Sequence, residues 1–246
     1  MAGAMLLRRS SHRPACSATY LLVTGLLRGL VMRALQIVLV LLLGNALSGW
    51  LHASPESALQ HYEELTVSLL RDAIARETTV GNGMVPAYAE SLKAIFLTAG
   101  FEDEDLVIAP LGETASLIVR YPGISNGNRK PILFSSHMDV VTAEPDAWLR
   151  HPFELQEDEV FFYGRGVLDN KFDVSLLTAL FVSLKESGFV PNRDLIIAFT
   201  GDEETYQETV QHLTRDYREL IDAEFAFVVD GGGGVLNDAG EAIQFQ

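Results

Sequence analysis

Four short polar clusters follow apolar runs in the second half of the chain, and their side chains are of the types that bind metal ions. The clusters are centred on His137, on Asp169, on residues 201–204 and on Asp230. Together they offer one imidazole and several carboxylates. Such donors suit zinc, manganese or cobalt, and zinc is the commonest of the three in hydrolysis.

The histidine cluster contains a carboxylate two residues after the histidine. His137 closes the apolar run 132–136, and Asp139 stands two residues further on. A metal-ligating imidazole usually donates its other N–H to a carboxylate, so Asp139 is expected to orient His137. The alternative for this cluster alone is structural, because a single histidine at the end of a strand is more often a packed residue than a ligand.

The acidic clusters each have two interpretations. Asp169 follows a glycine-containing turn and precedes a helical pattern, so it is either a helix N-cap or a carboxylate that bridges two metals. Asp202, Glu203 and Glu204 follow the apolar run 195–200. Carboxylates this close raise one another's pKa unless a cation neutralises them, which suits a metal ligand beside a general base. The alternatives are an acidic surface loop and, for Asp230 with its four following glycines, a simple turn.

The surrounding pattern predicts an α/β fold with a mostly parallel sheet flanked by helices. Helices are expected near 55–74, 86–99, 172–187 and 206–220, strands near 106–109, 116–121, 132–136, 159–163, 195–200 and 225–229, and a hairpin near 235–245. Continuous apolar strands are typical of parallel sheets that are buried on both faces. Open α/β sheets build their sites at the carboxyl ends of the strands, where all four clusters fall.

Charge and cysteine usage exclude several classes of function. The 246 residues carry a formal net charge of -15, which disfavours nucleic-acid binding because that requires a basic face. The single cysteine, Cys16, precedes the region that contains the four clusters. Disulfides and cysteine nucleophiles are therefore excluded from that region.

The first 53 residues read as an N-terminal leader. Residues 1–55 contain five arginines and no acid, and the apolar run 37–43 follows Met32 and Arg33. This order is typical of a signal peptide, and an uncleaved membrane anchor is the alternative. We expect an exported protein, periplasmic or secreted, or one that contacts the membrane only through this segment. Met32 is the expected true start.

The order and spacing of the clusters resemble metallopeptidase family M20 over roughly residues 56–246. The resemblance is carried by His137-x-Asp139, Gly164-Arg165-Gly166-x-x-Asp169-x-Lys171, Gly201-Asp202-Glu203-Glu204 and Asp230. The family includes aminoacylases, acetylornithine deacetylase, succinyl-diaminopimelate desuccinylase, and glutamate and Gly-X carboxypeptidases.

The resemblance implies a zinc-exopeptidase-like catalytic domain and a role for each motif residue. His137 and Asp230 would bind one metal, Glu204 the other, and Asp169 would bridge the two. Glu203 would be the general base for the attacking water, and Asp139 would orient His137. The Asp169–Asn170 peptide would be cis.

The sequence departs from the family pattern at its end. In the family a lid or dimerisation domain interrupts the catalytic domain, and a final histidine ligand follows it. Gln246 stands about where the lid would begin, and none of the body histidines (His61, His137, His151 and His212) is late enough to be that ligand. Residues 54–246 are therefore expected to form a catalytic domain truncated before the lid, with low or no turnover and no dimerisation.

Three functions remain open from the sequence. The leading hypothesis is a metal-dependent, dizinc hydrolase of amide or peptide bonds, of carboxypeptidase or aminoacylase type, acting on small peptides or N-acyl amino acids. The alternative is an inactive truncated product that serves at most as a metal-binding or interaction module. The third is an exported solute-binding protein, which the run of adjacent carboxylates disfavours.

Overall fold

A computed structural model describes residues 55–124, 129–159, 161–231, 234–237 and 242–245. The predicted leader, 1–53, lies outside these residues, so its nature stays a prediction. None of the helices in the described ranges combines the length and apolarity needed to cross a bilayer. The chain divides into two compact units, and the described part of the smaller one is the terminal hairpin.

The elements agree closely with the predicted pattern. The helices are α1 (Pro55–Ile74), α2 (Met84–Thr98), α3 (Lys171–Glu186), α4 (Glu208–Asp216) and α5 (Arg218–Ile221). The strands are β1 (Leu106–Leu111), β2 (Thr114–Tyr121), β3 (Ile132–His137), β4 (Gln156–Glu157), β5 (Phe162–Tyr163), β6 (Leu195–Thr200), β7 (Phe225–Val228), β8 (Gly234–Leu236) and β9 (Ala242–Phe245). Strands β8 and β9 form the predicted hairpin.

The main sheet has the order β1-β2-β6-β3-β7 and is mixed. The α/β class is confirmed, with helices on the sheet. Strands β6, β3 and β7 are parallel, as predicted, but β1, β2 and β6 pair antiparallel. The two-residue connection 112–113 is the reason for the β1–β2 pairing, since so short a turn joins only antiparallel strands, whereas the β2–β6 pairing depends on which strands become neighbours. Gly112 has φ +59°, which a glycine adopts at little cost.

Strands β6 and β7 have similar apolar sequences but different burial. All six residues of β6 are buried, as predicted. All four residues of β7 are exposed, which contradicts the buried strand expected at 225–229. The reason is position, because β6 lies between two strands whereas β7 pairs only with β3 among the described residues. Phe227 stacks on Phe134 of β3 and otherwise faces outward.

Two predicted elements are shorter than expected. The strand expected at 159–163 is limited to Phe162–Tyr163, which pairs with Gln156–Glu157. The helix expected at 206–220 begins only at Glu208 and breaks at Tyr217, whose φ of -123° is not helical. Its late start follows from Asp202, whose carboxylate accepts hydrogen bonds from the first backbone N–H groups of α4.

Helices cover the sheet and bring α1 close to the ends of the strands. Helix α1 packs against α3, and α3 packs against β3 through Phe181 and Phe134. Leu213 of α4 packs into a cluster with Ile118 and Ile196. The sheet therefore has a buried framework from which the residues after β3, β6 and β7 project.

Candidate metal centre

Three of the predicted ligands converge at the carboxyl edge of the sheet. His137 ends β3, Asp169 lies just before α3, and Asp230 follows β7. The Nε2 atom of His137 is 2.9 Å from Oδ1 of Asp169 and 3.5 Å from Oδ1 of Asp230. Because β3 and β7 are parallel neighbours, their following residues emerge at the same place.

The donor set fits a divalent cation. One atom from each of the three residues lies within 4.8 Å of the others. The imidazole is 2% exposed, whereas the side chains of Asp169 and Asp230 are 53% and 39% exposed. One buried nitrogen and two carboxylates that face solvent resemble a catalytic metal site, which keeps one side open for water or substrate.

The second imidazole nitrogen is held by Asp139, as predicted, but in a different way. His137 Nδ1 lies 3.0 Å from the backbone carbonyl oxygen of Asp139 and 3.3 Å from its carboxylate. The backbone oxygen is therefore the nearer acceptor. Nε2 faces carboxylate oxygens of Asp169 and Asp230, which accept hydrogen bonds, so in the metal-free chain it carries a proton that a bound metal would replace, while Nδ1 keeps its donation to Asp139.

The carboxylate of Asp139 has a further function that the motif did not indicate. Its Oδ1 accepts a hydrogen bond from the backbone N–H of Glu203, and its Oδ2 accepts one from that of Glu204, both at 3.0 Å. Asp139 is 4% exposed. This buried side chain therefore joins the histidine strand to the loop that carries both glutamates.

The acidic run at residues 202–204 divides into two functions. Asp202 is 7% exposed, and its carboxylate accepts hydrogen bonds from the N–H groups of Glu208 and Thr209, so it caps α4. Glu203 and Glu204 are half-buried. Burial, and then the negative charge of Asp169, raise the pKa of Glu204. The charge of Asp169 thus acts on Glu204, but Glu204 lies outside the converging group of three. Its role as a ligand stays a prediction.

Electrostatics indicate an excess of negative charge at the centre. Burial alone would lower the pKa of His137, but the hydrogen bond to Asp139 and the charges of Asp139, Asp230 and Asp169 raise it to about 9. A cation would relieve the same excess. Asp173, which the sequence analysis missed, lies in the first turn of α3. Burial and then the charge of Asp230 raise its pKa to about 6. Asp169 lies before α3, so helical spacing does not relate the two residues, and no sequence pattern pointed to Asp173.

Two further buried residues follow Asp169, and the motif predicted no role for their side chains. Asn170 is fully buried, and its Nδ2 donates hydrogen bonds to Val229 O and Asp230 Oδ1. Lys171 is also fully buried, and its Nζ donates to the carbonyl oxygens of Ala73 and Arg76 at the end of α1. Burial, and then the charge of Arg76, lower the pKa of Lys171 to about 7. The Asp169–Asn170 peptide is cis, as the resemblance implied, and Asp169 is not the N-cap of α3.

The mixed sheet and the three converging side chains are a scaffold and a donor set that suit a metal-dependent hydrolase of the metallopeptidase type. Residues 133–242 match the family model described as Peptidase family M20/M25/M40. The chain is thus similar to family M20 over the region that holds the whole candidate centre, and the resemblance predicted from the motifs is confirmed.

Relatives with assigned names match part of the chain. It is 32% identical over 114 residues to human N-fatty-acyl-amino acid synthase/hydrolase PM20D1, which is 46% of this chain and 22% of that protein. It is 32% identical over 131 residues to acetylornithine deacetylase of Dictyostelium discoideum, which is 52% of this chain and 29% of that protein. The matched region thus spans less than a third of these relatives.

A solved structure shows the same fold. The di-peptidase Dug1p of Saccharomyces cerevisiae superposes with a TM-score of 0.57 at 23% identity, over 72% of this chain and 41% of that one. At this identity the likeness concerns the fold alone. It supports the mixed helix-flanked sheet as the scaffold of the centre.

Proposed function

We propose that the chain supplies the metal-binding part of a dizinc hydrolase that cleaves amide or peptide bonds in small peptides or N-acyl amino acids. The observation that carries the proposal is the convergence of His137, Asp169 and Asp230 at the carboxyl edge of the sheet. A buried imidazole whose Nδ1 is held by Asp139 and whose Nε2 faces two carboxylates has little use in a solute-binding site but suits a metal ion.

The roles are those that the resemblance to family M20 implies. His137 and Asp230 would hold one ion, Asp169 would bridge, and Glu204 would hold the second. When bound, the metals would lower the pKa of water and polarise the scissile carbonyl. Glu203 accepts the proton of the attacking water and returns it to the leaving amine, which is the work of a general base and then a general acid. Asp139 holds the backbone of Glu203 and accepts a hydrogen bond from Nδ1 of His137.

The names of the relatives support the substrate class. One is named for N-fatty-acyl amino acids, one for an acetylated amino acid, and the structural neighbour for dipeptides. The shared feature is an amide bond on a small amino acid. We extend this class to the present chain, of either the aminoacylase or the carboxypeptidase type.

Metal content after dialysis tests the proposal. The full chain is expected to retain one divalent ion that mass spectrometry detects, and His137→Ala should lose it. His151→Ala is the matched control, because His151 lies outside the converging group. A second ion, taken up at higher zinc concentration, should be lost in Glu204→Ala. Retention of metal by His137→Ala, or none in the wild type, would contradict the proposal.

One observation favours the alternative of a metal-binding module without turnover. Glu204 lies outside the group of three ligands, so the described residues bring together one ion site and not two. Release of amine from N-acetyl amino acids separates the two functions. Metal retention with no amine release in the wild type would favour the module.

A further inference from the structure

The residue after Asp169 links two ligand-bearing segments that are far apart in sequence. Asn170 is fully buried, and its Nδ2 lies 2.9 Å from the carbonyl oxygen of Val229 and 3.1 Å from Oδ1 of Asp230. That same Oδ1 lies 3.5 Å from Nε2 of His137. The amide therefore holds the carboxylate oxygen that faces the imidazole.

We propose that Asn170 is the positioning residue that holds Asp230 in place as a metal ligand. The inference rests on the proposed metal centre and adds a residue to it. Asn170 acts through Asp230 and does not itself coordinate.

The chemistry of the amide makes the interaction directional. The NH₂ group carries two donors, and both partners, the Val229 carbonyl and the Asp230 carboxylate, can only accept. A flipped amide would set its own carbonyl oxygen against two acceptors, so only one orientation is compatible with both contacts. Leucine fills a similar volume and offers no donor.

The carbonyl oxygen of the Asn170 side chain indicates that this residue does more than fill space. Its Oδ1 accepts no hydrogen bond from the residues that the structure describes. A buried acceptor without a hydrogen bond is unfavourable. An apolar side chain at this position would avoid that cost. The contacts made by Nδ2 are therefore the feature that an asparagine contributes at this position.

Asp230 is held both by its own segment and by the segment of Asp169. It lies beyond the end of β7, the exposed edge strand, and glycines follow it. The backbone N–H of Val229 bonds to Ser135 O, and the N–H of Gly231 bonds to Asp230 Oδ1. A Cβ on Gly231 would lie 3.0 Å from the Cβ of Asp169, so the two ligand segments are in close contact here. The side chain of Asn170, which belongs to the segment of Asp169, thus holds the carboxylate of Asp230 on the other segment.

The test compares zinc affinity in full-length variants by competition with a chromophoric chelator. Asn170→Leu should weaken binding about 10- to 100-fold, which is the usual effect of removing a hydrogen bond to a metal ligand. The matched control is Asn82→Leu. Asn82 is an exposed asparagine whose Nδ2 also donates to a carbonyl and a side-chain oxygen, those of Glu77 and Thr79. The control should change the affinity by less than about two-fold on the same scale.

Two further readouts separate positioning from general loosening of the structure. The cobalt(II) absorption spectrum should differ between Asn170→Leu and the wild type, because it reports ligand geometry. In an Asp230→Ala background, Asn170→Leu should cause no further loss of affinity, since its effect passes through Asp230. Asn170→Ala serves in both assays if the leucine variant fails to fold.

The outcomes are distinct. Wild-type affinity and spectrum in Asn170→Leu, or additive losses in the Asp230→Ala background, overturn the inference. If the wild type binds no metal, the proposed function fails, and with it the use assigned to Asn170. The hydrogen bonds are tested separately by slow exchange of the Asn170 side-chain NH₂ in the NMR spectrum of the metal-free chain.

Discussion

The two halves of the candidate centre differ in how their side chains are held. On the side of β3 and β7 the side chains themselves are fixed, because the His137 imidazole donates to Asp139 O and the Asp230 carboxylate accepts from Asn170 Nδ2. On the side of β6, the loop of Glu203 and Glu204 is fixed through its backbone N–H groups. The Glu203 carboxylate accepts only from the exposed Gln207 among the described residues.

This difference indicates which function each half can serve. Ligands fixed through their side chains lie close together without an ion, as His137, Asp169 and Asp230 do. A carboxylate fixed only through its backbone can move between partners, which suits a proton carrier. The following predictions test this contrast, from the largest expected effect to the smallest.

The largest effect is expected on turnover from the β6 half. Glu203→Gln should lower amine release from an N-acetyl amino acid by about 10²- to 10⁴-fold, because the general base is lost. Zinc retention should not change, since Glu203 lies outside the ligand group. Amine is quantified by mass spectrometry at stoichiometric amounts of protein. Glu113→Gln, an exposed acid, is the control, and zinc loss in Glu203→Gln would break the contrast.

Asp139 joins the halves, so its removal should affect both. Asp139→Ala leaves the buried N–H groups of Glu203 and Glu204 without their acceptor, and we expect a loss of about 3 kcal/mol in the free energy of unfolding. Urea denaturation measures it. Zinc affinity should fall as well, because Nδ1 of His137 loses a carboxylate. A variant with normal stability and zinc binding would show that the halves are independent.

The free energy of unfolding of the metal-free chain should depend on pH through His137, which lies in the β3 half of the centre. The pKa of His137 is about 9 in the folded chain and about 6.5 when unfolded. The stabilising contribution of His137 to the free energy of unfolding is therefore complete below about pH 6.5. It is lost as the pH rises to about 9, a change of about 3 kcal/mol. Urea denaturation in EDTA at several pH values measures it.

The control for this pH effect is His137→Gln. Lys171, with its pKa lowered to about 7, acts in the opposite direction, because the unfolded chain binds its proton more tightly and stability then rises with pH. The difference between the wild type and His137→Gln isolates the histidine. If both proteins show the same pH profile, the elevated pKa is wrong.

The smallest effect separates Asp202 from its two acidic neighbours. Asp202→Ala removes the cap of α4 and should cost about 1 kcal/mol in the free energy of unfolding. Zinc content and amine release should stay at the wild-type level after correction for the folded fraction. Metal loss in this variant would mean that the acidic run acts as one unit.

The sequence predicted the parts of the centre that depend on local order. Apolar periodicity placed α1, α3 and β6 within one or two residues, and the ends of parallel strands brought His137 and Asp230 together as expected. It did not predict the antiparallel β2–β6 pairing or the exposure of β7. Both depend on which strands become neighbours, and the apolar sequence of a strand is the same at an edge and in the centre.

The roles of Asn170 and Lys171 were also beyond prediction, for a related reason. Their partners, Val229 and Ala73, lie 59 and 98 residues away in sequence. A local pattern shows that a polar residue follows Asp169 but not which carbonyl it will meet. Asp202 is the converse case, because its acidic neighbours suggested metal chemistry whereas its partners are the N–H groups of a helix.

The contact between Lys171 and the end of α1 sets a limit on how the N-terminus can be processed. The two carbonyl oxygens that hold the buried ammonium group belong to Ala73 and Arg76. Just beyond them, the hydroxyl of Thr78 bonds to Met138 O, and Val140 N bonds to Thr78 O. A protease that removed α1 would cut away the anchor of the segment next to His137. If the predicted leader is cleaved, we expect cleavage before α1 at Pro55, because removal of α1 would also remove the carbonyl oxygen of Ala73 that binds Lys171.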